Sequence, residues 1–98
     1  MLFQLSFTNE AKIDMEKLKA DVSLKKRLKA VYKALGYLHS NPRHPGLNAH
    51  KYSALSGSNN EEVFEIYAEN KTPAAYRIFW YYGPGKNIIT VLSIRAHP

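Results

Sequence analysis

The chain has 98 residues, no cysteine, and 14 Lys and Arg against 8 Asp and Glu, for a formal net charge of +6 with the histidines neutral. A domain of this length buries roughly 65% of its unfolded surface and folds without staples, and the lack of thiols excludes a disulfide framework and any Cys-based zinc site. The positive balance favours a polyanionic partner such as nucleic acid, a ribosome, a membrane surface or an acidic protein, although solvated faces account for it equally well.

The opening Met-Leu-Phe-Gln-Leu-Ser-Phe lacks a basic leader and a continuous apolar run. No other stretch reaches the length of a membrane span, so a soluble, cytoplasmic protein without membrane contact is expected. Within residues 2–7, Phe3, Leu5 and Phe7 alternate with Gln4 and Ser6, the pattern of a half-buried strand. Thr8 or Asn9 then offers an N-cap for a helix from about Glu10, with Ile13, Met15, Leu18 and Val22 as its apolar stripe. Ser23 reads as a second cap.

Leu24, Leu28, Val31, Leu35 and Leu38 recur at steps of four and three, one face of an amphipathic helix that ends before Asn41-Pro42. Lys26, Lys29 and Lys33 share a line on the other side, with Lys25 and Arg27 beside it. That ridge is either a solvated face or a phosphate-binding one.

Residues 40–60 are loop-like, rich in Pro, Gly, Ser and Asn, with 49–55 a short strand or turn that carries Lys51 towards a ligand. Residues 61–70 alternate again, Phe64, Ile66 and Ala68 against Val63, Glu65, Tyr67 and Glu69. Lys71-Thr72-Pro73 turns the chain into an aromatic strand from Ala75, and Gly83-Pro84-Gly85-Lys86 joins that strand to the last one as a hairpin. The expected fold is α+β: an N-terminal strand, a two-helix hairpin and a three-stranded antiparallel meander, with the helices packed on one face of the sheet in a single domain over residues 1–98.

With Ile78 and Trp80 in the core, a period of two places Arg77, Phe79 and Tyr81 on the opposite face. The same rule buries Leu92 and Ile94 and exposes Ser93, Arg95 and His97. One face then collects Glu65, Tyr67, Arg77, Arg95 and His97. Metal-free RNA cleavage needs a base for the 2′-hydroxyl, cations for the phosphorane charge and an acid for the leaving oxygen. Glu65 fits the base, Arg77 and Arg95 the phosphate, His97 the acid, and Tyr67, Phe79 and Tyr81 suit stacking on unpaired bases. Simpler readings stand beside this one: Glu65 pairs with Arg77 across the strands, and His97 is a frayed end. His39, His44, His50 and His97 are dispersed without zinc spacing, so no metal and no cofactor is expected.

In this order, Leu55-Ser56-Gly57, Val63-Phe64-Glu65-Ile66, Tyr76-Arg77-Ile78-Phe79-Trp80 and Ile94-Arg95-Ala96-His97 resemble the RelE/ParE superfamily of bacterial toxins, across nearly the whole chain. The resemblance implies the toxin of a type II toxin–antitoxin system, held by a cognate antitoxin, whose better-known members cut mRNA on the ribosome and inhibit translation. It implies that Arg77 binds phosphate, that Glu65 is the base of some branches, that Arg95 is the basic residue of the last strand and that His97 matches the terminal histidine of the YoeB-like branch. Lys51 matches a basic residue before the meander, and with Lys26, Lys29, Lys33, Tyr67 and Tyr81 it completes the expected RNA contacts. The sequence departs from the pattern at Pro98, where related toxins carry a catalytic tyrosine, at Tyr67, where some branches carry arginine, and in a longer turn from Glu69 to Ala74. The superfamily also contains inhibitors of DNA gyrase, and a catalytically degenerate basic binding module is the third reading.

Overall fold

The structure, a computed structural model, describes residues 2–70 and 74–96. Strand β1 (Gln4–Phe7) is followed by helices α1 (Asn9–Ala20) and α2 (Lys25–Ser40), then by β2 (His50–Ser56), β3 (Glu62–Tyr67), β4 (Tyr76–Tyr82) and β5 (Ile88–Ala96). The sheet order is β1-β5-β4-β3-β2, with β1 parallel to β5 and every other pairing antiparallel. The segment left open between strand and turn is thus a strand, and the meander has four members rather than three. The turn expected at Lys71-Thr72-Pro73 and the residues His97 and Pro98 lie outside the described residues.

Thr8 caps α1 by accepting from the Ala11 N–H at 3.1 Å, and its hydroxyl donates to the Leu92 carbonyl at 2.7 Å. Beyond the end of β1, Asp14 of α1 accepts from the Ile94 N–H at 2.9 Å. The helix therefore satisfies the β5 backbone where the parallel strand has stopped. Ser23 is not the second cap. The Asp21 carboxylate accepts from both the N–H and the hydroxyl of Ser23, at 2.9 and 2.6 Å, in a short 3-10 turn over Val22–Leu24 that leads into α2.

The main core lies between the helices and one face of the sheet: Ala11 and Leu18 of α1, Val31, Leu35 and Leu38 of α2, and Ile66, Ile78, Trp80, Ile89, Val91 and Ile94 beneath them. Burying each such aliphatic side chain stabilises the fold by about 1.5–3 kcal/mol. A smaller cluster, Val63, Phe79 and Tyr81 with Tyr52 and Leu92, occupies the opposite face.

The period of two breaks once in β5. Phe79 pairs with Ser93 but Trp80 pairs with Val91, which leaves Leu92 as the extra residue of a β-bulge. Leu92, expected beside Ile94 in the main core, is turned by the bulge to the other face, and Ser93 is buried rather than exposed.

At the β4–β5 hairpin, Gly83 and Gly85 hold φ values of 93° and 95°, which only glycine adopts at low cost, and the Gly83 N–H donates to the Ile88 carbonyl at 2.7 Å. Among the described residues no helix is long and apolar enough to cross a membrane.

Candidate functional site

The face of the sheet turned away from the helices gathers the polar residues by register. Glu65 of β3 lies opposite His50 of β2 and Phe79 of β4, while Tyr67 lies opposite Arg77, which in turn lies opposite Arg95 of β5. Glu65, Tyr67, Arg77 and Arg95 therefore share a face, as alternation predicts.

Arg77 is the best-positioned cation of the group. Its guanidinium carbon sits 3.6 Å from the centroid of the Tyr67 ring, and Nη1 donates to the Glu69 carbonyl at 3.0 Å. Its buried Nε has no hydrogen-bond partner among the described residues. The Glu69 carboxylate is itself fixed, bonded to the Arg27 Nε at 2.8 Å and accepting from the Tyr76 N–H at 3.0 Å. Arg27, expected beside the solvated lysine ridge, instead reaches inward from α2 and lies 4.7 Å from the centre of the Tyr76 ring. A chain from α2 through Glu69 thus sets the position of Arg77.

Glu65 is almost wholly buried, its side chain 2% exposed, and its Oε1 lies 2.6 Å from Nε2 of His50, whose side chain is 47% exposed. His50 Nδ1 lies 2.9 Å from the Asn48 carbonyl, and the imidazole meets the Tyr67 ring edge-on at 5.9 Å. Asn48 adopts the left-handed conformation, φ 50° and ψ 43°, at the end of a 3-10 turn, and this bend delivers His50 onto the first rung of β2. Sequence reasoning grouped His50 with the solvated loop histidines. The only signal available was its position five residues before Leu55-Ser56-Gly57, at the head of an ambiguous strand.

Both ring nitrogens of His50 face oxygen acceptors, and neutral imidazole carries a single N–H. Which of the two nitrogens donates follows the tautomer of the ring. Glu65, expected to touch the 2′-hydroxyl, is too deeply buried to do so and reaches solvent through His50.

The remaining expected residues divide by environment. Arg95 is exposed and tied to Glu10 of α1 at 2.6 Å. Lys51 is exposed and paired with Glu62 at 3.0 Å, on the opposite face from His50. Lys26, Lys29 and Lys33 are exposed along α2. Tyr67 is half-buried under Arg77, so that ring face carries a guanidinium rather than a base. Tyr81 and Phe79 are buried in the second apolar cluster and present no stacking surface, because Tyr52 and Leu92 pack over it.

Two helices packed on one face of a mixed five-stranded sheet make the RelE/YoeB-like fold. The chain matches the YoeB/ParE toxin from Agrobacterium tumefaciens with a TM-score of 0.71 at 11% identity, covering 98% of this chain and 100% of that one. It matches the YoeB dimer from Staphylococcus aureus at 0.69 and 15% identity over 100% of both chains. The toxin–antitoxin complex RelBE2 from Mycobacterium tuberculosis matches at 0.63 and 19% identity, covering 99% and 100%. No protein-family model matches the sequence and no curated protein matches it, so the likeness is one of fold.

Proposed function

We propose that this chain is the toxin of a type II toxin–antitoxin pair, held inactive by a cognate antitoxin, and that it is a metal-independent endoribonuclease that cuts mRNA on the ribosome. The toxin role is supported by the likeness to RelE and YoeB toxins, several of them solved with antitoxins. The observation that carries the chemistry is Arg77 laid on Tyr67, Nε still without a partner among the described residues, on the same face as the hydrogen-bonded His50–Glu65 pair.

In this reaction the 2′-oxygen bonds to phosphorus, the P–O5′ bond breaks, and the products are a 2′,3′-cyclic phosphate and a 5′-hydroxyl. Arg77 neutralises the charge on the equatorial phosphate oxygens, a role worth about 100–1,000-fold in rate for one well-placed donor. The His50–Glu65 pair gives its proton to the departing 5′-oxygen through His50, its exposed member. The complementary transfer, from the 2′-hydroxyl, then falls to His97, expected from the sequence to be the acid and in this proposal the base. Arg95, drawn towards Glu10, contributes charge at the rim rather than a direct clamp.

Purified protein incubated with a defined mRNA on programmed ribosomes, with chelator present and naked RNA alongside, tests the proposal. Cleavage confined to the ribosome, insensitive to chelator and lost in Arg77→Ala and His97→Ala, is expected. A folded, growth-inhibiting protein that cuts nothing and instead blocks supercoiling by DNA gyrase overturns it.

A further inference from the structure

A second concavity lies on the helix side of the sheet, where α2 has ended at Ser40 and no longer covers β3 and β4. Phe64, Trp80 and Tyr82 wall it, and the loop carrying Pro42, Arg43 and Asn48 forms its far side, enclosing about 550 Å³. The walls are an aromatic cluster: Phe64 stacks on Trp80 with centroids 5.0 Å apart and planes 24° off parallel, and Tyr82 stands edge-on to both rings at 5.8 and 4.9 Å. Tyr82 is 41% exposed, a large apolar surface left in water by a fold that buries its neighbour Trp80 to 1%. A second, shallower groove lined by Phe3, Asn41 and Ser40 adjoins it and shares Pro42, Arg43 and Tyr82, so Arg43 and Tyr82 stand where the two meet.

The polar lining is of one sign. Arg43 and Lys51 contribute to it, and no carboxylate lines the cleft among the described residues. Lys51 is shared with Glu62, and the His50 ring is turned to Glu65, but Arg43 takes part in no ion pair among the described residues. An uncommitted guanidinium beside an exposed aromatic ring suits a ligand that is both anionic and planar. The volume fits one or two nucleotides. Unpaired nucleic acid offers this combination at every residue, a base for the ring and a phosphate for the cation. An acidic peptide offers the charge without the flat faces.

We propose that this cleft is a second binding site for unpaired RNA, on the other side of the sheet from Arg77, with His50 on the edge strand between the two. A base stacks on the exposed ring of Tyr82, and the adjoining phosphate is taken by Arg43, with Lys51 at the rim.

Trp80 is the sole tryptophan of the chain and lies behind Phe64 and Tyr82 in the wall of this cleft, so its fluorescence responds to occupancy through those two rings. Titration with hexauridylate, in the Arg77→Ala variant so that phosphate binding on the Arg77 face does not contribute, is expected to change the emission and saturate. Arg43→Ala in that background, an exposed residue whose loss leaves the core intact, is expected to weaken binding about tenfold and to lower the slope of log affinity against log salt by about 0.7, one phosphate contact. Tyr82→Ala is expected to weaken binding by a similar factor while leaving the salt slope unchanged, since stacking releases no counterion. Unchanged affinity and salt slope in Arg43→Ala would overturn the proposal. An emission change produced equally by a poly-glutamate peptide would also overturn it, by making the cleft an acidic-peptide site. Ribosomal cleavage by the intact protein is read separately, so the absence of cleavage bears on the Arg77 face and not on this cleft.

Discussion

The contact between His50 and Glu65 is the interaction whose energy most directly tests the site. A 2.6 Å approach between an imidazole nitrogen and a carboxylate oxygen is a charge-assisted hydrogen bond, a class that contributes about 1.5–3 kcal/mol. The carboxylate side is buried and the imidazole side half open to water, so solvent screening lowers the expected coupling to about 1–2 kcal/mol. His50→Ala removes this partner from a carboxylate that is 2% exposed, with an expected destabilisation of about 1–3 kcal/mol. Glu65→Gln keeps the shape and removes the charge. A double-mutant cycle by urea unfolding, with thermal midpoints alongside, isolates the pair: the double variant should be less destabilised than the sum of the singles by the coupling energy. In a domain of this size each kcal/mol moves Tm by about 4–8 °C, so the effect is resolvable. Costs that add within about 0.3–0.5 kcal/mol would refute the pairing.

Leu38→Ala, at a fully buried position under the sheet, should destabilise by about 2–5 kcal/mol in urea unfolding, because the cavity between α2 and β-strands held apart by Trp80 and Ile78 cannot close. Gly57→Ala should destabilise by about 1–3 kcal/mol, since the added methyl would stand 2.9 Å from the Glu61 Cβ in the tight turn between β2 and β3. The Asp21 carboxyl is held below its ordinary value by the Ser23 side-chain hydrogen bond and then by the Ser23 backbone N–H. Its contribution to stability is therefore present above the ordinary Asp range and lost as pH falls through the lowered value; carbon-detected NMR titration should show late protonation, and Ser23→Ala should move it up towards the ordinary value.

How far the residues alone foretell this arrangement depends on what each pattern measures. Alternation and the steps of three and four record burial, so they locate α2, β1, β3 and β4, whose apolar sides face a core. They place Glu65, Tyr67, Arg77 and Arg95 on one face because the ladders from β3 to β4 and from Arg77 to Arg95 keep register. They fail at Leu92, where a bulge inserts a residue with no chemical mark and turns it to the face that Ser93 already occupies. They fail at β2 for a different reason. Its residues are nearly all exposed, it pairs along one edge only, and its register against β3 shifts between Lys51 and Ser56, so no apolar period forms.

That failure falls on the strand that presents His50 to Glu65. An edge strand exposes its side chains because nothing packs over them, and the same exposure leaves His50 open to solvent while the inner strand keeps Glu65 dry. A pattern that reads burial sees Glu65 and overlooks its accessible partner. Contact across the outermost ladder, His50 opposite Glu65, supplies the missing step, because a carboxylate buried on a central strand acts on solvent only through the residue its neighbour presents. Arg77 follows the same logic: its rung is legible from alternation, but its orientation is set by the Glu69 carbonyl and by Arg27 on a helix far back in the chain, a long-range constraint that local sequence does not encode.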